Sequence, residues 1–137
     1  MSKRFLLTLI LSGVTALVLS GCGADADIDA KDDDGETPLH RAAWDNSLDV
    51  ASSLIKLGAD IEATDEFGET PLHGAAEYNS LDVASLLIDH GADVNALDDY
   101  SATPLHETTS PGQKNSIVIA RLLIEHGADV NAYHAEG

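Results

Sequence analysis

The sequence predicts an all-α solenoid in which short antiparallel helix pairs, joined by β-hairpin turns, stack one on the next. Three observations lead there. The element Thr37-Pro38-Leu39-His40 returns as Thr70-Pro71-Leu72-His73 and as Thr103-Pro104-Leu105-His106, at steps of 33 residues. A second element, Gly58-Ala59-Asp60, returns at Gly91-Ala92-Asp93 and, three residues late, at Gly127-Ala128-Asp129. The 137 residues are 44% hydrophobic and 23% charged, which suits a folded domain and argues against a disordered or collagen-like chain. A period of this length marks supersecondary units that bury their apolar faces only by stacking on their neighbours.

Taken in order, the chain opens with Lys3 and Arg4, then an apolar run over residues 5–19, then the small residues Ser20 and Gly21. These are the three parts of a secretory signal. As a helix the run would extend about 22 Å, short of the hydrocarbon layer's roughly 30 Å, so a removable signal is expected over a permanent spanning helix. The tetrapeptide Leu19-Ser20-Gly21-Cys22 resembles the lipobox of bacterial lipoproteins. That resemblance implies a signal peptide over 1–21, cleavage before Cys22 and lipidation of its thiol, with 22–31 as a lipid-anchored segment and partial hairpin. Gly23, where an aspartate would hold the protein in the inner membrane, implies the cell envelope and the periplasmic face of the outer membrane. Cys22 is the single cysteine, so neither an internal disulfide nor a multi-cysteine zinc site is available.

Three units follow, over 32–64, 65–97 and 98–133, with a hairpin stub at 134–137. Thr37, Thr70 and Thr103 suit helix N-caps, and the proline after each suits the first helical position, where its missing N–H costs nothing. Ser47, Ser80 and Ser116 mark the start of each second helix. Apolar residues such as Val50, Leu54 and Ile55, or Val83, Leu86, Leu87 and Ile88, then line one side. Gly58, Gly91 and Gly127 supply left-handed stops, and Ala42 and Ala43 allow close helix approach. In this register the TPLH, alanine-pair and GAD elements resemble ankyrin repeats over nearly all of residues 25–137. The resemblance implies that the motif histidines hydrogen-bond to the motif threonine and the neighbouring turn. It also implies that partners are bound by the hairpin tips and the exposed side of each first helix.

The third unit departs from the pattern. Thr108 and Thr109 replace the alanine pair, and residues 110–115 lengthen the turn between its helices, which should protrude. Ser52 and Ser53 make the first unit's outer face polar. The last unit's Ile117, Val118, Ile119, Leu122, Leu123 and Ile124 are followed only by the stub, so that end is expected to fray or to be covered.

Several residues invite chemistry. His40, His73 and His106 recur one layer apart, about 8–10 Å, whereas zinc needs its nitrogens about 2.1 Å from a common centre, so one ion cannot serve all three. Asp25, Asp27, Asp29, Asp33 and Glu36 fall at calcium-loop positions one, three, five, nine and twelve, but Ala30 stands where the sharp turn wants glycine. Weak calcium binding through residues 25–36 is the reading from a different functional class. No nucleophile elbow or phosphate loop occurs, and no catalysis or cofactor is expected.

The formal net charge of −17 disfavours nucleic acid and anionic lipid surfaces as partners. Carried over by register, the partner-binding positions are Asp33, Asp34, Glu36, Trp44 and Asp45, then Glu66, Phe67, Glu69, Glu77 and Tyr78, then Asp99 and Tyr100, with Ala102, Ser110 and Pro111 on the same face. Four of the five rings beyond the signal fall in this set, the fifth being Tyr133. Large rings outside a core built of Leu, Ile, Val and Ala mark a docking surface, and the acids around them favour a protein partner with a basic, partly apolar patch. The expected function is a membrane-anchored interaction module of the envelope, with an immunity protein or inhibitor of an envelope enzyme as the alternative.

Overall fold

The computed structural model describes residues 27–109 and 114–133. The proposed signal, Cys22, Asp25, Ser110, Pro111 and the stub at 134–137 lie outside the described residues. Among the described residues six helices alternate: α1 Pro38–Trp44, α2 Leu48–Lys56, α3 Pro71–Glu77, α4 Leu81–Asp89, α5 Pro104–Glu107 and α6 Ser116–Glu125. No strand is present among the described residues. The first helices α1, α3 and α5 pack in one row and the second helices α2, α4 and α6 in another. This is the expected all-α solenoid.

Each first helix starts as the sequence requires. Thr37, Thr70 and Thr103 have extended backbone at the N-cap, proline follows, and the third helical residue is the motif histidine. The Thr37 N–H donates to His40 Nδ1 at 3.1 Å, so Nδ1 carries no proton and Nε2 is the donor, reaching the Glu69 carbonyl at 2.9 Å. His73 repeats this with Thr70 and the Ala102 carbonyl, and His106 with Thr103 and the Ala132 carbonyl. Each imidazole thus closes its own helix cap, and His40 and His73 tie that cap to the next unit, whereas His106 ties it to the end of its own. Burial lowers the pKa of His40 and His73, which favours the neutral rings, and the N–H groups donating to Nδ1 select this tautomer.

The hairpin turns are built by one aspartate per unit. Asp32 Oδ1 accepts from the N–H groups of Asp34 and Glu36, Asp65 Oδ1 from Phe67 and Glu69, and Asp98 Oδ1 from Tyr100 and Ala102. Successive tips are bonded to each other, Glu66 N–H to the Asp34 carbonyl at 3.2 Å and Asp99 N–H to the Phe67 carbonyl at 2.9 Å. Gly35 and Gly68 have positive φ, and a Cβ on either would press on the next tip's backbone, 2.8 Å from Glu66 N or 2.9 Å from Asp99 N. Ser101 takes the same φ sign in the third unit, at a conformational cost that a glycine would avoid.

On the opposite edge, Asp29 Oδ1, Glu62 Oε1 and Asn95 Oδ1 accept from the N–H groups of Asp60, Asp93 and Asp129 respectively. Many of the acids are therefore turn and inter-unit acceptors. Ser47 and Ser80 stand at N-caps without a capping bond, and Ser116 is the first residue of α6 behind Asn115. The orphan Val83 N–H is instead met by Asn46 Oδ1 from the preceding unit, at 3.2 Å.

The core lies between the two rows. Leu39, Leu72, Val83, Leu87, Ile119 and Leu123 are fully buried with the alanines around them, about 1.5–3 kcal/mol for each large aliphatic side chain. The third unit is weaker, because α5 ends after four residues. Thr108 and Thr109 hydroxyls donate to the Leu105 and His106 carbonyls at 2.7 and 2.8 Å, engaging the acceptors that a longer helix would use.

Candidate functional site

The candidate surface runs from the hairpin tips across the exposed side of α1, α3 and α5. At the tips Phe67 is 46% exposed and Tyr100 50%, with Asp33, Asp34, Glu66 and Asp99 exposed around them. On the helix side Tyr78 is 50% exposed and Asp45 is exposed, each at the C-cap of its helix.

Three predicted contact residues are placed otherwise. Glu36 is only 8% exposed, and its carboxylate meets Arg41 Nη2 at 3.0 Å, so it is an internal pair and not a surface acid. Trp44 is partly buried. Its ring lies over Gly74 of the next unit, where a Cβ would come within 2.6 Å of Trp44 Cδ1. Tyr78 stacks on it with centroids 5.2 Å apart and planes inclined by 30°, and the Arg41 guanidinium lies 5.1 Å from the ring centroid. Trp44 is thus a wedge between units, and the accessible ring of the pair is Tyr78. Ala102, also expected on this face, is buried, and its carbonyl accepts from His73 Nε2.

Gly74, which no sequence motif singled out, governs the electrostatics. It occupies the register of Arg41, as Glu69 occupies that of Glu36. Because Trp44 needs a glycine beneath it, the second unit has no guanidinium for Glu69. Burial, reinforced by Asp65, Glu77, Glu107 and Asp98, pushes Glu69 up to about 7. Glu77 is also raised, first by burial and then by Asp65, and the Tyr78 hydroxyl is raised by burial and by Glu77, Glu69 and Glu36. The middle of the face is therefore a partly desolvated acidic patch beside an exposed phenol ring. Comparing positions 41, 74 and 107 in register, as Arg, Gly and Glu, would have revealed it.

Of the calcium-loop positions, Asp25 lies outside the described residues, and three of the others have partners within the chain. Asp27 and Asp29 accept backbone N–H groups, Glu36 pairs with Arg41, and no cluster of three metal-ligating side chains occurs among the described residues. Among those residues, no helix is long and apolar enough to cross a membrane.

Stacked hairpin–helix–helix units with a continuous face of tips and first helices define a repeat protein that works as a protein–protein interaction module. A family model described as ankyrin repeats (3 copies) matches residues 54–134, and another, ankyrin repeats (many copies), matches residues 22–75. The first spans more than half of the chain, which belongs to the ankyrin-repeat family. No match to it was found among curated proteins.

Proposed function

We propose that the chain is a lipid-anchored, non-catalytic interaction module of the bacterial envelope whose concave face binds a protein through a basic, partly apolar patch. The observation that carries the binding half is Glu69. A carboxyl held near pH 7 by burial and four neighbouring acids is a place where an incoming lysine or arginine gains the cation that Gly74 cannot provide. Tyr78 beside it, with Phe67 and Tyr100 on the tips, supplies rings against which the apolar stem of such a side chain packs. The anchoring half rests on Cys22 in its lipobox-like setting, and lipid chains add about 0.8 kcal/mol of membrane affinity per buried methylene.

One capture experiment tests both halves. The full chain is crosslinked in its native membranes beside a Cys22→Ser form and a Phe67→Ala/Tyr78→Ala/Tyr100→Ala form, at low and high salt. The Cys22→Ser chain should lose lipid labelling. The triple variant should keep its helical signal and lose capture by about tenfold or more, and wild-type capture should fall with salt. Lipid labelling of the serine form would refute the anchor, and undiminished capture by the triple variant would refute the face.

A further inference from the structure

The chain already contains one finished guanidinium site. Arg41 Nη2 lies 3.0 Å from Glu36 Oε2 and 3.4 Å from Asp32 Oδ2, and its Cζ lies 5.1 Å from the centroid of the Trp44 ring. The parts are two carboxylates from one hairpin turn, an aromatic face, and a planar cation that uses all of them. A guanidinium gains from stacking and from forked N–H donors together, which a compact, strongly hydrated ammonium does not.

The second unit repeats these parts without the cation. Asp65 and Glu69 hold the register of Asp32 and Glu36, and Asp65 Oδ1 accepts from the same two hairpin N–H groups as Asp32 Oδ1. In the first unit it is the other oxygen, Oδ2, that meets Arg41. Position 74 is glycine, and among the described residues neither Asp65 nor Glu69 meets a cation. The aromatic face is Tyr78, stacked on Trp44 by one side and still 50% exposed. Its hydroxyl lies within the field of Glu77, Glu69 and Glu36. The third unit does not repeat the set, because Ala102 stands in the register of Glu69 and Glu107 in that of Arg41.

We infer that the second unit reads one arginine of the partner, its guanidinium laid on the open side of Tyr78 and forked onto Glu69 and Asp65 as Arg41 is onto Glu36 and Asp32. This rests on the concave-face reading above and narrows it: the partner's basic patch presents an arginine there, and a lysine does not replace it. The groups facing Glu69 set the pH dependence. Asp65 and Asp98 approach from the hairpins, Glu77 from α3 and Glu107 from α5, Tyr78 lies beside them, and His40 donates to the Glu69 carbonyl as a neutral ring. With Glu69 held up to about 7, its proton must leave before the guanidinium pairs, so affinity should rise about tenfold from pH 6 to pH 8.

Titration of the full chain in detergent with the blocked peptide Gly-Ala-Arg-Ala-Gly, beside its lysine and citrulline forms, tests this. Binding is read by the carboxyl carbon shift of Glu69 and by the emission of Trp44, the single tryptophan, on which Tyr78 stacks. The arginine peptide should bind about fivefold or more tightly than the lysine peptide, and the neutral citrulline peptide should leave both signals unchanged. Glu69→Gln should weaken the arginine peptide about tenfold and remove the pH dependence, and Tyr78→Leu, which keeps an apolar contact but no π face, should bring arginine down to the lysine level. Circular dichroism of both variants checks that the helices persist. Equal affinity for arginine and lysine, an arginine preference that survives Tyr78→Leu, or no binding by any of the peptides would overturn the inference. Membrane capture that still depends on Phe67, Tyr78 and Tyr100 would in each of those cases leave the concave-face reading standing, so the two fail separately.

Discussion

Glu36 and Glu69 sit 33 residues apart in the same register, each just before the Thr-Pro-Leu-His element, and the two carboxyls come to different uses. In the first unit burial and Asp32 raise the Glu36 pKa as well, but Arg41, reaching back to the carboxylate at 3.0 Å, pulls it down and the acid is buried beside a cation. In the second unit the residue at that place is Gly74, because the Trp44 ring fills the space a side chain would take, and Glu69 is left among four other acids. A repeat protein can thus make a site by omission. The packing demand of one tryptophan removes a cation from the next layer and leaves a desolvated acid facing outward.

The comparison can be broken most strongly at Arg41. Arg41→Met keeps the aliphatic stem over Trp44 but strands Glu36, at a cost of about 2 kcal/mol at pH 8 by chemical denaturation, less than for a fully buried pair because Arg41 is partly solvated. That loss should shrink at acid pH as Glu36 takes a proton, and Glu36 should titrate higher in carboxyl NMR. Gly74→Ala breaks it from the other side. The new Cβ expels the Trp44 ring, and after the gain in helix propensity the net loss should be about 1–2 kcal/mol, with a red-shifted tryptophan emission.

Glu69→Gln gives the smallest change and the opposite sign. The Glu69 pKa is raised in the fold, from 4.5 to about 7, so the native state binds the extra proton and stability falls as pH rises between those values. The glutamine form should therefore be more stable than wild type by about 1 kcal/mol at pH 8, after discounting for solvent screening, and should show no gain by pH 4. A gain that did not vary with pH would show that Glu69 is not held protonated by the fold.

Much of this was legible without coordinates. Thr-Pro-Leu-His fixed the caps and the start of each first helix, and the 33-residue step fixed which positions share a layer. The threonine pair in the third unit announced a departure, and its hydroxyls do shorten α5. The exposed rings Phe67, Tyr78 and Tyr100 were placed on the surface by register alone. Trp44 and Glu36 were not. Register locates a Cα on a face, but whether a long side chain there points to solvent or lies along the next layer depends on what that layer leaves open. The hairpin aspartates Asp32, Asp65 and Asp98 were visible only as the first residue of each unit, and their side chains turn inward onto the backbone.

Periodic local rules, a cap, a proline, a glycine stop and an apolar stripe, are short-range physics, and the amino-acid sequence determined them along with the stacked architecture and the acidic balance. Only the tertiary structure decided which acids meet a cation within the chain, and which ring is a wedge and which a contact. Those outcomes turn on distances of a few ångströms between side chains one layer apart, such as the space over Gly74 that Trp44 occupies, and a repeat register does not carry that information.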